Sequence, residues 1–169
     1  MFRILKKSLK TGIVTGRHPV APKDEAGVSP TASLKAKPFR RSLTIREVDT
    51  GSCNACEMEM NALMNPIYDA ERFGIHIAAS PRHADALVVT GPVTVNMEKA
   101  LKDAYRSTPD PKLVIALGDC ACDCGMFKGS YAVTGPVERH VPVDVKVRGC
   151  PPRPAEILHA LQRLQGQSD

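Results

Sequence analysis

The sequence predicts an α/β fold, a parallel sheet with helices on both faces, and three observations carry that expectation. From residue 43 onward, short apolar runs alternate with stretches of helical periodicity. Several of the runs, Ala86–Thr90 and Leu113–Leu117 above all, are apolar throughout, as strands covered on both faces are. Hydrophobic residues make up 43% of the 169-residue chain, which suffices for a core and excludes wholesale disorder.

Taken in order, the first element is an N-terminal helix. Phe2, Leu5, Leu9 and Ile13 share one face of a helical wheel and Arg3, Lys6, Lys7 and Lys10 the adjacent one, the pattern of a short amphipathic helix lying on a surface. Gly12 and Gly16 weaken its continuation. Residues 17–38 contain Pro19, Pro22, Pro30 and Pro38 and few apolar residues, so they read as a linker or an extended arm. Leu43–Val48 alternates as a strand and ends in Asp49-Thr50-Gly51. Gly74–Ala79 reads as a second strand, Ala86–Thr90 as a third halted by Gly91-Pro92, and Leu113–Leu117 as a fourth halted by Gly118. Val141–Val147 alternates as a fifth and stops at Gly149. Between them, Asn54–Met64, Met97–Ser107 and Pro154–Leu164 have helical periodicity, with Pro154 suited to a first turn. The chain thus divides into a basic arm, residues 1–42, and an α/β domain, residues 43–169.

Charge follows the same division. The net +5 conceals an arm with ten Lys and Arg against Asp24 and Glu25, and a body with 13 basic and 16 acidic side chains. Such an arm suits an anionic membrane surface, an acidic partner or nucleic acid. The absence of Trp and an aromatic content of 4% argue against nucleic-acid binding by base stacking. No run approaches the roughly 20 apolar residues of a membrane span, and no apolar stretch of signal-peptide length follows the N-terminal charges. Arg40-Arg41 resembles a twin-arginine signal only superficially, because Leu43-Thr44-Ile45-Arg46-Glu47 is no apolar core. The expected location is the cytoplasmic side of the membrane, where thiols stay reduced.

The six cysteines are clustered: Cys53 and Cys56, then Cys120, Cys122 and Cys124, then Cys150. Cys53, Cys120 and Cys150 each follow a predicted strand, and ligands of open parallel sheets bind beyond the carboxyl ends of the strands. Three distant segments therefore bring thiols to one edge, with the Cys-x-x-Cys pair at a strand-to-helix turn. Convergent thiolates in a reduced compartment point to zinc or an iron–sulfur cluster. One pair joined by two solitary ligands, rather than two short pairs, places a cluster ahead of zinc. A thioredoxin-like reading of Cys53-Asn54-Ala55-Cys56 leaves Cys120 and Cys150 without a role.

Three motifs then carry a resemblance. Gly51-Ser52-Cys53-Asn54-Ala55-Cys56-Glu57, Gly118-Asp119-Cys120-Ala121 and Gly149-Cys150-Pro151-Pro152-Arg153-Pro154 resemble, in order, those of the small subunits of [NiFe] hydrogenases and the related 20 kDa subunit of respiratory complex I. The similarity spans about residues 43–164. It implies a flavodoxin-like domain with one [4Fe–4S] cluster on Cys53, Cys56, Cys120 and Cys150, next to a large subunit. Complex I subunits usually have adjacent cysteines in the first motif, whereas Asn54 and Ala55 stand between them here, which is similar to membrane-bound, energy-converting hydrogenases of the formate hydrogenlyase type. The resemblance thus implies an electron-transfer subunit between a ferredoxin-like iron–sulfur subunit and a [NiFe] large subunit, attached to integral membrane subunits. The competing expectations are a complex I-like quinone reductase with a 49 kDa-like large subunit, and a zinc-stabilised interaction module.

Secondary candidates surround these motifs. Glu57 and Glu59 follow the first pair; Glu57 is the candidate proton relay, against the plainer role of a first-turn carboxylate at a helix dipole. Arg148 and Arg153 bracket Cys150 and suit either tuning of the cluster or ordinary surface pairing. Met58, Met60 and Met64 suit packing against the core or the large subunit. His18, His76, His83, His140 and His159 lack ligand spacing. Cys122 and Cys124, left over by four-cysteine ligation, are expected to donate weak hydrogen bonds to the cluster or to line the large-subunit contact rather than to serve as ligands.

Overall fold

The five apolar runs become neighbouring strands of one sheet. In the computed structural model, which describes residues 35–166 together with Ala26–Val28, Lys6 and Lys10, eight strands follow one another along the chain. They are β1 (Ala26–Val28), β2 (Leu43–Asp49), β3 (Ile75–Ile77), β4 (Ala86–Thr90), β5 (Val93–Thr94), β6 (Leu113–Leu117), β7 (Val133–Gly135) and β8 (Val145–Val147). The main sheet has the order β1-β8-β6-β4-β2-β3, parallel except for β1, which pairs antiparallel with β8. Counting the parallel strands alone, this is the doubly wound order 2-1-3-4-5 of flavodoxin-like folds. β5 and β7 form a separate antiparallel ribbon.

The alternation of side chains along buried strands creates two cores. Ala86 and Val88 of β4, with Leu113, Ile115 and Leu117 of β6, face helices α1 (Ala55–Ala62) and α4 (Pro154–Gln165), through Met60, Ile157 and Leu161. Leu87, Val89, Val114 and Ala116 face the opposite side. There Leu101 of α2 (Glu98–Ser107) and Ala121 of α3 (Asp119–Asp123) complete the second core. Helices therefore cover both faces, as the apolar strands require.

The observed bounds differ from expectation where side chains take over from backbone. The run 141–147 pairs only over Val145–Val147, because the exposed Pro142 has no N–H to donate and Asp144 opens the ladder with its carboxylate. Asp144 N–H donates to Val114 O at 2.9 Å, and its Oδ2 accepts Val114 N–H at 3.0 Å. Its Oδ1 meets Lys35 Nζ at 2.7 Å, so a buried carboxylate is compensated from the segment before β2. Ala36 is likewise buried in the first core. Of the expected amphipathic helix, only Lys6 and Lys10 are among the described residues, both helical and exposed; the rest lies outside them. No helix of the described residues is long and apolar enough to cross a membrane.

Candidate metal centre

β2 delivers the first two thiols. At its end, Asp49 Oδ1 accepts the N–H groups of Gly51 and Ser52, both at 2.8 Å, which turns the chain out of the sheet. Thr50 is fully buried and its hydroxyl donates to the carbonyls of Thr90 and Gly91, tying this turn to the end of β4. Ser52 Oγ then accepts Asn54 N–H at 3.0 Å and donates to Glu57 Oε1 at 2.6 Å. Asn54, with φ of 69°, caps α1 through its carbonyl, which accepts Met58 N–H. Cys53 stands exposed before the helix and Cys56 half-buried in its first turn.

The other thiols come from adjacent strands. The β6–β8 ladder continues past its last residues: Gly118 N–H donates to Val147 O at 2.7 Å and Asp119 N–H to Gly149 O at 2.9 Å. Gly149 N–H returns to Asp119 Oδ1 at 3.1 Å. Cys120 and Cys150 each lie one residue beyond this bonded pair, so they leave the sheet at the same level.

The corners bring Cys53, Cys56, Cys120 and Cys150 together at the carboxyl edge. Burial pushes the Cys56 thiol up to about 12, with Glu57 and then Cys120, Cys53 and Cys150 adding to the shift. Burial also raises Cys120, followed by the charges of Cys150 and Cys53. Two glycines keep the space clear. A Cβ on Gly118, whose φ is +87°, would lie 2.7 Å from Cys56 Sγ, and one on Gly125 would lie 3.2 Å from Cys120 Sγ. Four free thiols at one edge, of which Cys56 and Cys120 are disfavoured as thiolates by burial and by the neighbouring cysteines, fit a group that brings positive charge and accepts soft donors. Among the described residues, no three His, Cys, Asp or Glu side chains are gathered about the position of a single ion.

Cys122 and Cys124 occupy different surroundings. Successive alternate residues on a helical turn point about 200° apart, so Cys122 enters the second core while Cys120 faces the edge. Cys122 Sγ lies 3.7 Å from Ala116 O, and burial pushes its thiol up to about 11 against the pull of Arg148 and Lys146. Cys124 is buried with φ of 72°, and its thiol is raised by burial and Asp123 while Arg139 and Lys128 oppose. The remaining candidates divide similarly. Met60 is in the first core, Met64 packs against it, and Met58 is 65% exposed. Glu57 Oε2 is buried with no partner among the described residues, and Glu59 is half-buried. Arg153 N–H caps α4 with Glu156 Oε2 at 3.0 Å.

Sequence reasoning missed the carboxylates that hold the loops, Asp49, Asp119 and Asp123. The Asp-x-Gly-Ser turn signal marks the first, and the spacing of four between the other two places them on one side of a helical turn. Arg148 Nη1 donates to Asp123 Oδ2 at 3.0 Å and stands 3.9 Å from Asp119 Oδ1. The Arg148 hydrogen bond, with that of Gly125 N–H, holds the Asp123 carboxyl below its ordinary value. Apolar side chains are also exposed at Met58, at Met126 next to Gly125, and at Val95 and Tyr131, which flank the strands of the β5–β7 ribbon in sequence.

Comparison with known proteins gives concordant matches. The profile of the family described as NADH ubiquinone oxidoreductase, 20 kDa subunit, matches residues 53–164. The probable membrane-bound hydrogenase subunit mbhJ of Pyrococcus furiosus is 50% identical over 128 residues, covering 73% of this chain and 77% of its own length. Formate hydrogenlyase subunit 7 of Escherichia coli is 46% identical over 143 residues, covering 85% of this chain, which in turn spans 56% of that subunit. Among solved structures, a chain of the membrane-bound sulfane sulfur reductase, an archaeal respiratory membrane complex, is similar with a TM-score of 0.67 and 35% identity, over 79% of this chain and 74% of that one.

Proposed function

Because the chain belongs to the NADH ubiquinone oxidoreductase 20 kDa subunit family, whose members are subunits of oxidoreductase complexes, we propose that it is the electron-transfer subunit of a membrane-bound hydrogenase complex. In this reading Cys53, Cys56, Cys120 and Cys150 hold one [4Fe–4S] cluster. The observation that supports it most is the convergence of four free thiols from three loops at the carboxyl edge of one parallel sheet.

When bound, such a cluster supplies reversible one-electron storage. The chain's own residues do the rest. The thiols ligate as thiolates, Gly118 and Gly125 leave their space unobstructed, and Asp49 and Asp119 set the two corners by hydrogen bonds. Met58, Met126, Val95 and Tyr131 pack against a [NiFe] large subunit and exclude water there. Glu57, with one oxygen bonded to Ser52 and the other buried, is the carboxylate positioned to hold a proton beside the thiols. A ferredoxin-like subunit would be the electron-exchange partner of such a centre. The basic residues of the segment 1–42 attach the subunit peripherally to integral membrane subunits and the anionic surface on the cytoplasmic side.

The separation of Cys53 from Cys56 by Asn54-Ala55 favours a hydrogenase over a quinone reductase. The test is anaerobic purification of the complex through a tag on the full chain, followed by metal analysis and assay of H2 evolution with a reduced ferredoxin-type donor. Iron on this chain, nickel on the co-purifying large subunit and H2 evolution are expected. Iron without nickel, with quinone reduction instead, would establish the complex I-like alternative, and zinc in place of iron the interaction module.

A further inference from the structure

The corner formed by β6 and β8 contains a charged bridge that cluster ligation by itself does not explain. Asp119 and Asp123 stand four residues apart, at the two ends of α3, and therefore on one side of the turn that carries Cys120. Facing them is Arg148, two residues before Cys150. Its Nη1 donates to Asp123 Oδ2 at 3.0 Å and lies 3.9 Å from Asp119 Oδ1. Each carboxylate is also bonded to backbone: Asp119 Oδ1, the oxygen nearest Arg148, accepts Gly149 N–H at 3.1 Å, and Asp123 Oδ1 accepts Gly125 N–H at 3.0 Å. A continuous path thus runs from the loop of Cys150, across both ends of the helical turn, to the glycine that abuts Cys120 Sγ.

We propose that Arg148, bridging Asp119 and Asp123, is a positioning residue that locks the Cys120 and Cys150 loops in register and so governs how firmly those two thiols retain their cluster. The inference rests on the cluster reading above. A planar guanidinium can serve two carboxylates at once, which a lysine ammonium on a flexible stem does less well. Without it, two like charges at a spacing of four repel across the same turn. All three side chains are partly exposed, Asp119 at 37%, Arg148 at 52% and Asp123 at 53%. Exposed ion pairs contribute little to global stability, so the bridge acts on loop register rather than on the fold.

The test uses the full chain in its assembled complex, comparing wild type with Arg148→Gln, Arg148→Lys and Asp123→Asn. Iron release to an excess of bathophenanthroline, the midpoint potential of the centre and the hydrogen exchange of the peptide covering residues 145–152 are followed. Arg148→Gln and Asp123→Asn should release iron roughly 10-fold faster than wild type, the lower end of the effect expected for groups that orient ligands. Both should also exchange the Gly149 amide faster, with an unchanged melting temperature. Arg148→Gln should move the potential downward, because a positive charge that favours the reduced state is gone. Arg148→Lys should recover the potential and only part of the retention. Iron release and Gly149 exchange at wild-type rates in both Arg148→Gln and Asp123→Asn would overturn the bridge. A wild-type complex without iron would overturn the cluster reading, and the proposal with it.

Discussion

The two corners that present the thiols are built on different principles. The corner of Cys53 and Cys56 is held mostly from within: Asp49, Ser52 and Glu57 bond to groups no more than five residues away, and Thr50 ties the turn to the end of β4. The corner of Cys120 and Cys150 is held across the fold, by a ladder extended past β6 and β8 and by side chains 25 and 30 residues apart in sequence. The first corner needs only the turn after β2 and its tie to the end of β4. The distant one exists only when β6 and β8 are already paired, so the ligand set is complete only in the finished sheet.

Joining the corners at Gly118 gives the largest expected effect. Gly118→Ala places a Cβ 2.7 Å from Cys56 Sγ at a φ of +87°, so the second corner collides with a thiol of the first. Strain of about 1–3 kcal/mol from the backbone alone, added to the displaced thiol, should lower the melting temperature and remove most of the iron. Full iron content in this variant would mean that the corners are not in contact.

Asp49→Ala should be smaller and confined to one corner. It leaves the Gly51 and Ser52 amides without their acceptor, a loss of about 1 kcal/mol. Faster hydrogen exchange is expected over residues 50–56 and wild-type exchange at Gly149. Acceleration at both places would show that the corners are coupled rather than independent.

Cys122→Ser and Cys124→Ser should change less. Both thiols are buried apart from the four at the edge, and a serine at 122 can still donate to Ala116 O. Iron content and cluster type should stay as in wild type, with a small shift in potential and a modest fall in melting temperature. Loss of iron in either variant would place that thiol in the ligand set and remove Cys120 from it.

The smallest effect concerns Glu47 in β2, beneath the first corner. Burial raises its pKa above 4.5, opposed by the hydrogen bond from Thr90 Oγ1, with Glu57 and Asp49 raising it further. The folded chain therefore binds this proton more tightly than the unfolded chain. The associated stability is complete below the ordinary carboxylate range and is lost as pH climbs from about 4.5 to the raised value. Glu47→Gln should melt higher than wild type near neutral pH, with the advantage vanishing under acid conditions. An advantage independent of pH would assign it to packing instead.

The same contrast explains what the sequence made legible. Runs such as Ala86–Thr90 and Leu113–Leu117 were readable because burial on both faces leaves apolar residues throughout, Thr90 at the end of its strand excepted. The Cys53–Cys56 pair was readable because its geometry is local. The strand expected from Val141 shortened to Val145–Val147 because Asp144 pairs with Lys35 and Val114, contacts that depend on residues 109 and 30 positions away. α3 escaped notice for a related reason: five residues, Asp-Cys-Ala-Cys-Asp, carry no helical periodicity, and the turn owes its placement to Gly149 and Arg148. The pairing of β1 with β8 was hidden in a segment whose prolines suggested a linker or an extended arm.

The central claim is that both corners contribute to one cluster. It is tested most directly by iron and acid-labile sulfide content, with the electron paramagnetic resonance spectrum of the reduced state, for the anaerobically purified complex and for Cys56→Ser and Cys150→Ser, one variant from each corner. The wild-type chain should hold about four iron and four sulfide, and either substitution should abolish the same signal, because a hydroxyl replaces thiolate poorly. Zinc in place of iron, or a Cys150→Ser chain with wild-type iron and an unaltered spectrum, would contradict it.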